Sequence, residues 1–438
     1  MKRVISALLI LTLCLLCLPA QAVRIDFNAV PEAQTARTTL LDLSNQTTSI
    51  SNTAEGWAFN PHGYENGPQL TLNSYGRADQ HSAPIVLPRD TRVVVNGTCY
   101  IDNVYMNGPH SVLAGSNGGY LKIDGTGTLN LYAEAYNGKC IDIPYGPANN
   151  QGELLYIDNI TVNCFAREPD MYNAATIEPC IFSVNSIYIN NAVINTRNGG
   201  CGIYVYGYTP IGGVTEETAS EVVINNSTVD IRTNVQDGVW RFAQGIRNTF
   251  GKIRITGNSN VNINAGTNSI YCYLSFTIES GNVNILSTTQ SYSASIYAIL
   301  YVGSLRILNG AGNVYFGTTR VRNADIVWSE DRSESICGDR VTFELGSFSN
   351  GAFQSEPDPN NNDLPAIKAH GTGQTWSGIM GDVDNDNSVT SMDALLVLRY
   401  SLDIINSLPV MQAADIDGNG TIDTSDALSI LRISLDVK

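Results

Sequence analysis

The chain of 438 residues is long enough for more than one domain. Its net charge of −16, from 25 basic and 41 acidic residues, excludes a surface built to bind nucleic-acid phosphates. Only 15% of the residues are charged and 43% are hydrophobic, which is unlike a disordered chain or a helical bundle and favours a β-rich extracellular protein.

The first 22 residues have the three parts of a secretory signal peptide. A basic start (residues 1–3) precedes an apolar run (residues 4–18), and Ala20 and Ala22 provide the small residues of a cleavage site. The alternative is a membrane anchor, but the apolar run is short for a bilayer span. We therefore expect residues 1–22 to be removed and the mature chain to be secreted without a membrane span.

Seven cysteines follow the signal segment. An odd number, spread over a long stretch of chain, does not indicate a disulfide framework. We expect these residues to be small buried hydrophobes rather than a zinc site, because no two of them form a Cys-x-x-Cys motif. They are Cys99, Cys140, Cys164, Cys180, Cys201, Cys272 and Cys337.

Residues 89–350 repeat a unit in which two runs of alternating apolar residues are joined by a polar residue and then Gly or Asn. The alternation indicates strands, and Gly and Asn enter the left-handed region readily at a sharp corner. Units of 23 to 35 residues predict an all-β, right-handed parallel β-helix, with an antiparallel sandwich as the alternative. The central apolar residues are Val95, Ile123, Ile157, Ile189, Ile224, Ile255 and Ile278, and the corner residues are Gly97, Gly125, Asn159, Asn191, Asn226, Gly257 and Gly281.

The regions on either side of the repeats differ from them in composition. Residues 23–88, which include GWAFNPHGYENGPQLTLNSYG, are expected to form a β cap with a hairpin over the first repeat. The Pro/Asn-rich stretch EPDPNNND marks residues 351–380 as a linker. Residues 381–438 form a separate acidic segment.

A third strand precedes many repeats, and the residues expected to point outward from it form a column rich in aromatic rings. Asp142 and Arg247 belong to the same column. Strands are about 4.8 Å apart, close to the rise per sugar of an extended β-glycan, so the column is a candidate sugar platform. The high β-propensity of tyrosine is the competing explanation. The candidate carbohydrate contacts are Phe182, Tyr204, Tyr206, Tyr271, Tyr273 and Tyr297.

The acidic segment contains two loops of twelve residues with oxygen ligands at EF-hand spacing. The four carboxylates crowded into each loop repel one another unless a hard cation neutralises them. We therefore expect two Ca²⁺ ions, one in each loop. The first ligand set is Asp382, Asp384, Asp386, Ser388, Thr390 and Asp393, and the second is Asp415, Asp417, Asn419, Thr421, Asp423 and Asp426.

Each loop is followed by the same amphipathic helix, DALLVLRYSLD and then DALSILRISLD, at an offset of 33 residues. The leucines of these helices are expected to form the core of a small all-α module. They are Leu395, Leu398, Leu402, Leu428, Leu431 and Leu435.

The tandem of loops and helices resembles the type I dockerin family over the whole of residues 381–438. That resemblance implies calcium-dependent binding to a cohesin on a scaffoldin, in an extracellular cellulosome held at the cell surface. Met392 and Ser425 differ between the two halves, so the two binding faces need not be equivalent. The family's recognition positions correspond here to Ser391, Met392, Leu398, Arg399, Thr424, Ser425, Leu431 and Arg432.

The repeats, with the opening GWAFN…LTLNSYG…PIVLPRDTRVVVNGT, resemble secreted carbohydrate-binding β-helix proteins of anaerobic Firmicutes. This resemblance implies binding of plant cell-wall polysaccharide in polysaccharide catabolism, without a catalytic residue. One alternative is a polysaccharide lyase or glycoside hydrolase with a pectin-type substrate on the same fold, for which Asp142 and Arg247 are the pair to inspect for lyase chemistry. A structural or adhesive protein without catalysis is the second alternative.

Overall fold

The computed structural model describes most of residues 40–435. The ranges outside the description are 66, 79–80, 104–110, 116–118, 134–137, 145–153, 167–178, 199, 208–217, 234–242, 267, 288–299, 319–326, 330–335, 338–340, 350–351, 355–364, 372–380, 385–387, 403, 406–407, 410–412, 415 and 417–421. The described part is mostly β-strand and ends in two helices. The predicted order, an all-β region followed by a small helical segment, is therefore confirmed.

The strands belong to one large mixed sheet. In chain order they are β1 (Leu41–Asp42), β2 (Ile50–Asn52), β3 (Trp57–Tyr64), β4 (Gly67–Asn73), β5 (Ile85–Leu87), β6 (Thr91–Asn96), β7 (Thr98–Asp102), β8 (Leu113–Gly115), β9 (Tyr120–Gly125), β10 (Thr128–Ala133), β11 (Ile141–Ile143), β12 (Leu154–Asp158), β13 (Thr161–Ala166), β14 (Pro179–Ser183), β15 (Ser186–Asn190), β16 (Val193–Asn198), β17 (Cys201–Val205), β18 (Ser220–Asn225), β19 (Thr228–Thr233), β20 (Gln244–Asn248), β21 (Gly251–Thr256), β22 (Asn260–Ala265), β23 (Ile270–Ser287), β24 (Leu300–Thr318), β25 (Val327–Ser329), β26 (Ile336–Cys337), β27 (Val341–Ser349), β28 (Ala352–Gln354) and β29 (Pro365–Gly371). The helices are α1 (Ser391–Ser401) and α2 (Thr424–Ser434).

Most of the sheet consists of three ladders of parallel strands that the chain visits in a fixed cycle. Ladder A contains β5, β8, β11, β14, β17, β20 and the start of β23. Ladder B contains β4, β6, β9, β12, β15, β18, β21 and the middle of β23. Ladder C contains β7, β10, β13, β16, β19, β22 and the end of β23. The long strand β24 pairs in parallel with β23 and extends all three ladders.

The corners between ladders B and C are the residues that the sequence predicts. Asn159, Asn191 and Asn226 have φ of 53°, 49° and 52°. The four predicted glycine corners also have positive φ, for example 69° at Gly97. Most side chains resist this conformation because of their Cβ, whereas glycine has none and asparagine tolerates it through local hydrogen bonds of its short side chain. The corner prediction is therefore confirmed. It missed one corner, because Ser74 (φ 52°) turns the chain in the preceding repeat.

The apolar column of ladder B is fully buried and in register from Ile123 to Ile278. The prediction placed Val95 in this column and is wrong by two residues, because Val93 pairs with Ile123 while Val95 stands opposite Gly125. Both valines point inward, so alternation alone does not distinguish the two registers. Ile307 of β24 extends the column by one further strand.

Polar side chains also stack between successive repeats. On ladder C, the Asn163 side-chain amide donates to the Asn130 carbonyl oxygen at 2.8 Å, and the Asn195 amide donates to Asn163 at 2.8 Å. Asn130 and Asn163 are buried, and the side-chain oxygen of each accepts a hydrogen bond from the side-chain NH₂ of the next asparagine in the stack. This asparagine ladder fixes the register of neighbouring strands.

Six of the seven cysteines after residue 22 lie in the described interior as buried thiols that form no disulfide: Cys99, Cys140, Cys164, Cys180, Cys201 and Cys272. This confirms the expectation for those six. Burial raises the pKa of Cys201 to about 12 and raises the pKa of Cys140 well above its ordinary value. Such thiols are chemically inert in the folded protein.

Antiparallel strands occur at both ends of the ladders. At the N-terminal end β3 pairs with β4, which is the predicted hairpin, and β4 then begins ladder B. At the C-terminal end β29 pairs antiparallel with β24 and β27. Strands β28 and β29 lie within residues 351–380, where the sequence suggested a linker, and the pairing of β29 with β24 ties that segment to the last ladder strands.

The helical segment has a different core from the one expected. Leu395, Leu402 and Leu435 are 46%, 55% and 63% exposed, and Leu398 and Leu428 are also exposed. Of the predicted core leucines, only Leu431 packs against the interior. The prediction is wrong because each helix buries the neighbouring apolar stripe, which carries mostly smaller side chains. The buried cluster is Val383, Ala394, Val397, Leu408, Ala413, Ala414, Ala427 and Ile430.

Candidate functional site

Three carboxylates meet at the start of α1. The side-chain oxygens of Asp382, Asp384 and Asp393 all lie within 4.8 Å of one another. Asp382 is 2% exposed and Asp393 is 0% exposed. Like charges at this separation repel strongly when solvent is excluded, and oxygen donors without sulfur or imidazole suit a hard divalent cation. The residues present therefore fit Ca²⁺.

Asp393 also organises the loop that brings these carboxylates together. Its Oδ1 accepts hydrogen bonds from the backbone N–H groups of Val383 (2.7 Å) and Asp384 (3.1 Å), and its Oδ2 accepts from Thr390 N–H (2.8 Å). Burial raises the pKa of Asp393, but hydrogen bonds from Thr390, Asp384 and Val383 outweigh it and hold the pKa below its ordinary value. The carboxylate is therefore ionised at neutral pH and can serve as a ligand.

Two of the other three predicted ligands of the first loop are among the described residues. Thr390 is the N-cap of α1, where its hydroxyl accepts from Met392 N–H at 3.1 Å. Ser388 is exposed. Asp386 lies outside the described residues.

The second loop is described only at its end. Asp423 caps α2 by accepting from Ser425 N–H at 2.7 Å, and the buried Asp426 accepts from Ile416 N–H at 2.9 Å and from Asp423 N–H at 2.9 Å. These bonds repeat those of Thr390 and Asp393 in the first loop. The ligand positions of Asp415, Asp417, Asn419 and Thr421 lie outside the described residues.

The predicted cohesin contacts lie on the solvent side of the two helices. Met392 is 54% exposed and Leu398 is 37% exposed, whereas Leu431 is partly buried. The remaining contacts, all exposed, are Ser391, Arg399, Thr424, Ser425 and Arg432. The exposed leucines described above lie on the same two helices or, for Leu402 and Leu435, at their C-caps, although the sequence assigned them to the core. Exposed apolar side chains of this kind make the two helices a candidate surface for a protein–protein contact.

A second candidate site lies on the outer face of ladder A. Strand register places Phe182 opposite Tyr204, Tyr204 opposite Arg247, and Arg247 opposite Tyr271. The Phe182 and Tyr204 rings meet edge to face, with centroids 5.5 Å apart. Burial raises the pKa of Tyr204, although its contacts with Thr249 and Arg247 act in the opposite direction. The predicted column is therefore present from Phe182 to Tyr271.

A parallel row of rings extends this surface on one side. Tyr206 and Tyr273 are 41% and 47% exposed, and Phe250 lies between them, with centroid distances of 5.9 Å and 6.4 Å. No sequence pattern predicts Phe250, because it lies in the turn after β20 rather than in a strand. We call the set Phe182, Tyr204, Tyr206, Arg247, Phe250, Tyr271 and Tyr273 the aromatic strip.

The upper end of the predicted column differs from the expectation. Tyr297 lies outside the described residues, and the position opposite Tyr271 is occupied by Tyr301 of β24. The sequence placed Tyr297 at this position because the length of the segment between β23 and β24 does not show which residue pairs with Tyr271.

Asp142 and Arg247, the pair singled out for lyase chemistry, are not neighbours. Two strands, those of Phe182 and Tyr204, separate them in ladder A, which corresponds to about 14 Å at roughly 4.8 Å per strand. Asp142 instead binds Lys139 at 2.9 Å and accepts from Ser111 at 2.8 Å. The geometry therefore does not favour an acid–base pair made of these two residues.

Residues 380–432 match the family model of the Dockerin type I domain. Type I dockerins bind calcium, and the match supports cellulosome-type docking of this segment to a cohesin. Dockerin domains belong to extracellular cellulosome components. Searches of the curated proteins and of the solved structures found no match to the chain. Among the described residues, no helix has the length and apolar character needed to cross a membrane.

Proposed function

We propose that this protein is a secreted, non-catalytic component of a cellulosome-type assembly. Its repeat region binds plant cell-wall polysaccharide, and its C-terminal module attaches it to a scaffoldin cohesin at the cell surface. The observation that carries the proposal is the joint presence of a dockerin match and an aromatic strip in one chain. Each polysaccharide-binding unit would then be brought to the substrate together with the enzymes of the assembly.

The repeat region forms a right-handed parallel β-helix in this proposal. Its support is the cycle of three parallel ladders, with one left-handed corner per repeat. Crossovers between parallel strands are almost always right-handed. Ladders B and C are joined by corners of one to three residues, whereas a segment of seven residues or more adjoins every ladder A strand from β5 to β20 on at least one side. The aromatic strip therefore lies on the face that is bordered by the longer segments.

The strip supports polysaccharide binding through its spacing and its composition. Successive strands lie about 4.8 Å apart, close to the rise per sugar of an extended β-glycan, and neighbouring ring centroids of the strip lie 5.5 Å to 6.4 Å apart. Sugar rings bury their apolar C–H faces on aromatic rings, and a Tyr hydroxyl can both donate and accept a hydrogen bond. Tyr206 and Tyr273 are the most accessible rings of the set.

The polysaccharide proposal is tested with the intact chain and a panel of soluble plant polysaccharides in affinity electrophoresis. The double variant Tyr206→Ala/Tyr273→Ala should lose retention, at roughly 1 kcal/mol for each ring. Tyr156→Ala/Tyr188→Ala is the matched control, because those rings stack 5.1 Å apart on ladder B. Equal losses in both variants, or none in either, would contradict a site on ladder A.

The docking proposal places one Ca²⁺ in each loop and uses the exposed face of α1 and α2 as the cohesin contact. Its support is the carboxylate cluster and the apolar exposure of Met392 and Leu398. Calorimetric titration of the intact chain with cohesin modules should show binding in calcium and none in chelator. Met392→Asp and Ser425→Asp, measured separately, test whether one half of the module contributes more. Binding that persists in chelator would refute the calcium dependence.

A further inference from the structure

Arg247 lies in the middle of the aromatic strip, between two tyrosine rings. Its guanidinium carbon is 5.3 Å from the centroid of the Tyr204 ring and 4.4 Å from that of the Tyr271 ring. Both contacts follow from register, because β20 lies between β17 and β23 in ladder A. A cation therefore occupies the position between two candidate sugar-stacking rings.

The guanidinium is held in place by neutral groups. Its Nε donates to Thr249 Oγ1 at 3.1 Å, and its Nη1 donates to Gln244 Oε1 at 3.2 Å. Neither bond uses Nη2, and a guanidinium has five N–H groups. The side chain is partly exposed, so N–H groups that the protein does not engage are available to a ligand.

Arg247 differs from its neighbours in lacking a carboxylate partner. In the part of the chain that the structure describes, no ion pair includes Arg247. By contrast, Arg92 lies 2.9 Å from Asp124, and Lys139, at the other end of the strip, lies 2.9 Å from Asp142. In a chain with 41 acidic residues and 25 basic ones, an arginine without such a partner is a distinct feature of this face.

We infer that the strip binds an acidic polysaccharide, with the carboxylate of a uronic acid sugar on Arg247 and neighbouring sugars on Tyr204 and Tyr271. This inference rests on the proposed polysaccharide function and adds the chemical class of the ligand. A planar guanidinium binds a carboxylate through paired, charge-assisted hydrogen bonds. The neutral partners Gln244 and Thr249 orient the group without cancelling its charge.

A different role for Arg247 would leave the ligand neutral. The guanidinium would then serve as a flat spacer that packs between two rings through cation–π contacts. A spacer contributes equally to neutral and acidic ligands, and its loss weakens both to the same extent. Comparison of polymers that differ only in the carboxylate therefore separates the two roles.

The experiment is calorimetric titration of the intact protein with two uronate polymers, polygalacturonate and glucuronoxylan, each paired with its carboxyl-reduced form. The variants are Arg247→Gln and Arg247→Lys, with Arg232→Gln as the control. Arg232 carries the same charge on ladder C, and Asp230 keeps its 2.9 Å ion pair with Arg197 when Arg232 is replaced. Unfolding curves establish that every variant is folded.

The inference predicts that the wild-type protein binds at least one acidic polymer about tenfold more tightly than its reduced form. Arg247→Gln should remove that difference, Arg247→Lys should keep part of it, and Arg232→Gln should leave it unchanged. Equal affinity for an acidic polymer and its reduced form, or equal losses for both in Arg247→Gln, overturns the inference alone. Absence of binding to every acidic and neutral polymer overturns the proposed function and the inference together.

Discussion

The substitution Asp382→Asn should have opposite effects on the C-terminal module in the presence and absence of calcium. Asp382 is 2% exposed and shares its cluster with Asp384 and the fully buried Asp393. At the cluster's limit of 4.8 Å and an effective dielectric constant of about 20, two unit charges repel by about 3.5 kcal/mol. Solvent screens the partly exposed Asp384, so we expect Asn to stabilise the metal-free module by about 2 kcal/mol.

With calcium bound, the same substitution removes a charged ligand. A hundredfold weaker affinity lowers the stabilisation by about 2.7 kcal/mol at a saturating calcium concentration. The free energy of opening should therefore rise in chelator and fall in calcium. This change of sign distinguishes a metal site from a loop whose carboxylates serve only as helix caps, because a cap contributes equally in both conditions.

Hydrogen exchange of the intact chain, followed by mass spectrometry on peptides from α1, measures both free energies in one experiment. Asp42→Asn is the control, because Asp42 is exposed in β1 and its replacement removes the same charge. Peptides from ladder B should exchange at the same rate in calcium and in chelator. Equal protection of α1 in the two conditions in the wild-type protein would refute the reasoning, as would a loss of protection in Asp382→Asn that does not depend on calcium.

Three further predictions concern the repeat region. Asn163→Ala leaves the facing amide groups of Asn130 and Asn195 without this partner, so urea denaturation should show a loss of about 1–3 kcal/mol. At Asn159, with φ of 53°, alanine should lower the free energy of unfolding by about 1 kcal/mol relative to glycine, and a reversed order would contradict the corner assignment. Because burial raises the pKa of Cys201 to about 12, a thiol reagent at pH 8 should label it only after unfolding, and rapid labelling of the native protein would show that the interior is open.

The features that the sequence predicted well are those decided by single residues. A left-handed corner favours Gly or Asn through the backbone of that one residue, so Asn191 and Gly257 could be assigned from their type and position alone, whereas Ser74 could not. The carboxylates Asp382 and Asp393 were grouped by the fixed spacing of a loop, and the structure places them in one cluster. In both cases the energetic requirement is local.

The features that the sequence did not predict depend on the register between strands or on contacts with residues from distant parts of the chain. Val93 and Val95 both satisfy the alternation, and only the pairing with β9 decides which one continues the column. Phe250 joins the aromatic strip because a turn places it between Tyr206 and Tyr273, and no periodicity marks that position. Contacts between residues of different strands depend on how the whole chain folds, so a sequence pattern along one strand does not predict them.

The leucines of α1 and α2 show why amphipathicity alone assigned the wrong core. Leu395 and Leu402 face outward, while the interior is built largely from alanines such as Ala394 and Ala427 together with the buried carboxylates Asp393 and Asp426. A core of small side chains buries little apolar area, and buried like charges oppose folding until a cation neutralises them. In the proposed role, calcium supplies folding free energy to the module, and the exposed leucines become buried only against a cohesin. Their outward position then provides apolar contact area for docking at the expense of the module's own core.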